Sequence, residues 1–123
     1  MRIAISADTN NGLESVVAHH FGRCPYFILV DVEDGEVQAV QSVNNPFVNG
    51  HQPGQVPAFI QEQKAQVMLS GGMGGRAIQF FNVSGIKAAT GASGTVRQSL
   101  ERYFGGALVD ASPCDESVAH GHG

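Results

Sequence analysis

Two short stretches of the chain gather residue types that can hold an anion or a metal. The first is His19-His20-Phe21-Gly22-Arg23-Cys24. Imidazole, guanidinium and thiol there lie within a few residues, a set that can coordinate a soft or borderline metal and neutralise sulfide or carboxylate charge. The plainer reading makes the histidines solvated loop residues and Phe21 a plug of the core. For His19 we adopt it; for His20 the residues alone leave both readings open. The second stretch is Ser70-Gly71-Gly72-Met73-Gly74-Gly75-Arg76-Ala77. Glycines let a backbone approach a ligand, and a helix opening there would aim free N–H groups and a positive dipole at an anion. A tight turn needing positive φ is the plainer account, but Gly71, Gly72, Gly74 and Gly75 are more glycine than a turn requires. Gly72-x-Gly74-x-x-Ala77 also fits a dinucleotide fingerprint, which expects an acid about 20 residues on to hold a ribose. No acid lies between Glu62 and Glu101, and no Gly-Lys-Ser/Thr follows to make a P-loop.

Charge points the same way. Residues 1–62 carry seven acids against Arg2 and Arg23, whereas the acid-free stretch holds Lys64, Arg76, Lys87 and Arg97. That distribution favours an anionic ligand near the second stretch. It is too sparse in cations, and too poor in interleaved aromatics, for nucleic acid. Cys24 and Cys114 stand far apart, so neither a disulfide framework nor a paired Cys-x-x-Cys zinc site is present. No apolar run approaches a membrane span. Met1–Ala7 reads as a strand without a signal peptide's long apolar stretch, and the expected location is cytoplasmic.

The elements that must position these residues follow from periodicity and punctuation. Ile3–Ala7 alternates as a first strand, and Asn10–Cys24 reads as a loop. Tyr26–Val32 and Glu36–Val43 flank Asp34-Gly35 as a hairpin. Gly54–Lys64 and Gly74–Asn82 have helical spacing, with Val67–Leu69 and Ile86–Ala89 as short buried strands. Thr95-Val96-Arg97-Gln98 is a capping box that opens a last helix, stopped at Gly105-Gly106. One domain over 1–109 and a polar tail over 110–123 result. Right-handed crossovers make strands one, three, four and five parallel, with strand two opposed. Asp8, His20–Cys24, the loop carrying His51, Ser70–Gly75 and Thr90–Gly94 should then gather at one sheet edge, where open α/β sheets bind ligands.

His20–Phe27 resembles the His-Phe-Gly-Arg pattern of the dinitrogenase iron–molybdenum cofactor biosynthesis family, which includes NifX, NafY and the C-terminal part of NifB. Gly71–Ala77 resembles that family's Gly-Gly-Ile-Gly-Pro-Arg-Ala, with Met73 for Ile and Gly75 for Pro. Gly85–Lys87 and Gly91–Val96 resemble its late Gly-Ile-Lys and Gly-x-x-Gly-Thr-Val. The resemblance spans roughly Met1 to Leu108. It implies an RNase H-like three-layer α/β fold: a five-stranded mixed sheet, order 3-2-1-4-5, strand two antiparallel, helices on both faces. It also implies binding or shuttling of iron–sulfur or molybdenum-containing clusters between donor and acceptor proteins of metallocluster assembly. The cofactor-binding expectation covers Gly71, Gly72, Met73, Gly74, Gly75, Arg76, Arg23, Gly91 and Ser93; the metal-ligand expectation covers His20, His51 and Cys24. Cys114, His120 and His122 are read as an adventitious metal binder.

Taken literally, the RNase H-like topology suggests a metal-dependent nuclease. That chemistry needs converging carboxylates; Asp8 could be one, but the loops after strands four and five offer none. We therefore expect no enzymatic activity, no nucleic-acid or membrane partner, and a monomer or weak homo-oligomer. A small regulatory module binding a nucleotide or other phosphate-type anion at the glycine loop is the alternative.

Overall fold

In a computed structural model, the structure describes residues 1–50 and 54–108. Its strands are β1 (Arg2–Ala7), β2 (Tyr26–Glu33), β3 (Glu36–Asn44), β4 (Val67–Leu69) and β5 (Lys87–Ala89). Its helices are α1 (Gln55–Glu62), α2 (Gly75–Ser84) and α3 (Val96–Phe104). The five strands form one sheet in the order β3-β2-β1-β4-β5, with β2 antiparallel to both neighbours and β1, β4 and β5 parallel. This is the expected mixed sheet. Among the described residues no helix is long and apolar enough to cross a membrane.

The alternation of β1 and β2 sends side chains to opposite sheet faces, and each face carries its own core. On one, Ile3, Ile5, Ile28, Val30 and Leu69 pack with Val96 and Leu100 of α3. On the other, Ala4, Phe27, Leu29 and Met68 pack with Val56 and Ile60 of α1 and Phe81 of α2. Three layers result. Phe27, Ile60 and Phe81 are fully buried, each a contribution of about 1.5–3 kcal/mol over an exposed side chain.

Two features differ from a plain reading of the sequence. Val37 and Val40 depart from strict alternation because the β2–β3 register shifts at Asp31/Val32, leaving Gln38 unpaired between Val37 and Ala39. Val37 and Val40 thereby face the same side, though at this sheet edge both stay exposed. The segment expected as a simple loop, Asn10–Cys24, is tied down instead. It contains a single 3-10 turn at Gly12–Glu14 and isolated bridges pairing Ala7 with Val17, Val16 with Thr95, and His20 with Gly72.

Candidate functional site

The carboxyl edge of the sheet is assembled by backbone hydrogen bonds between its loops. The Gly71 amide donates to Ala18 O at 3.1 Å, the Gly91 amide to Gly71 O at 3.0 Å, and the Ala92 amide to Ser70 O at 3.2 Å. Beneath them Ser70 is fully buried, and its hydroxyl donates to Gly72 O at 3.0 Å. The glycines have a structural reason of their own. None of Gly71, Gly72, Gly74 and Gly75 adopts a left-handed φ. A Cβ on Gly71 would instead lie 2.8 Å from His19 Cα, and one on Gly72 3.2 Å from His19 O. So Gly71 and Gly72 let the histidine loop lie against the β4–α2 loop. Gly74 meets nothing within 4 Å and is open to a ligand.

On the α1/α2 face this edge opens into a cleft of about 950 Å³. His20, Arg23, Gly72, Met73, Gly74 and Arg76 line it, with Phe21, Val56, Pro57 and Phe80 forming its apolar wall. Among the described residues no Asp or Glu lines it. At its floor α2 begins at Gly75 with Gly74 as N-cap and no side-chain cap, so the first-turn N–H groups are left to a ligand or water. Gly54, in a left-handed conformation at φ +88°, is the N-cap of α1 and borders the same cleft.

The arginines divide by use. Arg2 pairs with Asp31 and Arg97 with Glu14. Arg102 donates to Ser93 Oγ at 2.9 Å and to Gly91 O at 3.2 Å. Arg23 and Arg76, both exposed, make no ion pair or hydrogen bond with any described residue.

Of the residues expected from sequence, His20, Arg23, Gly72, Met73, Gly74 and Arg76 therefore meet in one cleft. Gly71 and Gly75 adjoin it in the chain without lining it. Gly91 and Ser93 do not line it either: they lie against α3, where Arg102 holds them, and Ser99 Oγ donates to Ser93 O at 3.0 Å. Cys24 is buried at 2% exposure in the α1/α2 core, its thiol donating to Phe21 O at 3.3 Å. Burial pushes the thiol up to about 11, further raised by the Asp8 charge and opposed by the Ser6 hydroxyl and neighbouring amides. A protonated, buried thiol is a poor metal ligand, because the thiolate is the ligating form. His51, Cys114, His120 and His122 lie outside the described residues. Among the described residues no three His, Cys, Asp or Glu side chains come together as a metal site.

Sequence reasoning missed Asn45, which read only as part of an Asn-Asn-Pro turn. It is 3% exposed, and its amide donates to Cys24 O at 2.9 Å and Gly22 O at 3.3 Å while its own carbonyl accepts from the Phe47 amide. Asn45 thus fixes the loop that carries Arg23. The apolar wall was missed too, since Val56, Pro57 and Phe80 show only helical periodicity in the sequence.

Comparison with known proteins agrees with this architecture. PH0822, known from its crystal structure, superposes with a TM-score of 0.78 at 40% identity, over 90% of this chain and 96% of that one. The apo form of the orange protein from Desulfovibrio gigas superposes with a TM-score of 0.80 at 28% identity, over 89% and 92% of the two chains. An uncharacterized protein of Methanocaldococcus jannaschii is 26% identical over 110 residues, 88% of this chain and 89% of its own. The family model described as dinitrogenase iron-molybdenum cofactor matches residues 1–106, and the chain belongs to that family.

Proposed function

We propose that the chain carries an anionic metal–sulfur cluster as cargo in the α1/α2 cleft, passing it between donor and acceptor proteins rather than transforming it. Membership of the dinitrogenase iron-molybdenum cofactor family supports a role in handling metalloclusters of that kind. The observation that carries the finer reading is the pair Arg23 and Arg76. Among the described residues neither has an anionic partner and no carboxylate lines their cleft, which also holds the uncapped α2 N-terminus. Such donors complement an anion without needing a fixed ligand count. The apolar wall suits a bulky, weakly hydrated cargo better than a small hydrated anion. In this reading His20 is the imidazole donor on the described wall, and His51 remains a proposed second one. Gly74 and the α2 amides supply hydrogen bonds. Gly91, Ser93 and Cys24 hold the frame.

Anaerobic titration of the apo protein with tetrathiomolybdate, or with iron and sulfide, tests this. The proposal expects sulfur-to-metal charge-transfer absorption that co-elutes with protein, retained in Cys24→Ser and weakened in His20→Ala. Absence of any protein-bound chromophore, with ATP or inorganic phosphate bound instead, would favour a phosphate-type ligand at the same amides.

A further inference from the structure

His19 and His20 are consecutive, and in an extended chain consecutive side chains point to opposite sides. Here the backbone bends at His19, and the two rings stand with centroids 4.8 Å apart at an interplanar angle of 76°. Both side chains are exposed. We infer that this pair is a two-imidazole site for a borderline divalent transition-metal ion, with zinc or cobalt as the type.

The geometry fits that use. With a metal–nitrogen bond of about 2.0–2.1 Å and a ring centre about 1.2 Å behind each nitrogen, two imidazoles on one ion stand about 4.5–5.3 Å apart, centre to centre, for angles from square-planar to tetrahedral. The observed 4.8 Å falls inside that range, as it does inside the roughly 4.5–7 Å of an ordinary edge-to-face ring contact, so binding requires the two exposed rings to turn one nitrogen each toward a shared ion. The backbone beneath is held in place. Ala18 O accepts from the Gly71 amide, His20 bridges Gly72, and His19 sits against Gly71 too closely for any side chain there. A backbone held in this way keeps the two rings neighbours and reduces the entropy lost on binding.

Chemistry narrows the ion. Neutral imidazoles select zinc, cobalt, nickel or copper over calcium and magnesium, which require oxygen donors. Arg23 and Arg76 line the cleft that His20 borders and oppose a bare cation, so two protein donors hold it weakly, and its open positions suit water or an anionic sulfur. The site does not depend on the cargo reading. It shares His20 with the proposed cargo cleft and adds His19, which that reading does not use.

Zinc titration of the 123-residue chain, in a Cys114→Ser, His120→Ala, His122→Ala background, tests the inference by NMR of the histidine rings. The expected result is that the ring signals of His19 and His20 shift together with one affinity. His19→Ala and His20→Ala should each weaken that affinity at least tenfold, while His19→Ala leaves tetrathiomolybdate binding within about twofold. If zinc shifts only one of the two rings or neither, or if His19→Ala binds zinc as the parent does, the pair is an aromatic contact and the inference is wrong.

Discussion

At Gly71 a side chain is excluded by backbone, not by a ligand: His19 Cα and His19 O would stand 2.8 and 3.0 Å from an added Cβ. Neither neighbour is the end of a flexible side chain, so one loop must shift. Gly71→Ala should therefore destabilise the protein by about 1–3 kcal/mol, read as a lowered thermal midpoint. Gly74→Ala, with open space, should change stability by less than about 1 kcal/mol. The sequence shows both as members of one glycine run; only the proximity of His19, which is 52 residues away in the chain, separates them. Cys24 makes a second test. Its thiol is pushed up to about 11, whereas the unfolded thiol ionises near 8.5. Below the lower value both states are protonated and the burial contribution is intact. Between the two only the unfolded chain loses its proton, so stability falls. Between pH 8.5 and 11 the parent should lose on the order of 2–3 kcal/mol more than Cys24→Ala. Thiol reagents should label Cys24 negligibly at pH 8 in folded protein.

Elements were legible where local chemistry sets them. The Thr95–Gln98 capping box is formed in full, Thr95 Oγ1 accepting from the Gln98 amide at 3.1 Å and Gln98 Oε1 from the Thr95 amide at 2.9 Å. Thr95→Ala should cost about 1 kcal/mol, a fall of about 3–5 °C in thermal midpoint, without changing anion binding in a cleft on the far side of the sheet. The shared sheet edge also followed from the sequence, because right-handed crossovers leave few alternatives. Which face each loop serves did not. The crossovers through α1 and α2 travel in the same direction across the sheet and land on one face, while α3 is terminal and covers the other. That is why Gly91 and Ser93, at the correct edge, belong to α3 and not to the cleft. The bulge at Gln38 was equally hidden, since one unpaired residue changes the register without leaving a composition signal.

At the scale of the whole molecule, the described residues place two helix N-termini, two arginines without an ion pair and one imidazole around a cleft of about 950 Å³, near the upper end of the roughly 300–1,000 Å³ of ligand pockets. The central claim is that this edge holds an anionic metal–sulfur cargo through charge and backbone donors. It is tested most directly by comparing the parent with the Arg23→Ala, Arg76→Ala double variant in an anaerobic tetrathiomolybdate titration at several salt concentrations. Exposed arginines contribute modestly, so the account predicts about tenfold weaker binding and a flatter salt dependence in the double variant, with the fold unchanged by circular dichroism. Equal affinity and an equal salt slope for parent and variant would contradict it.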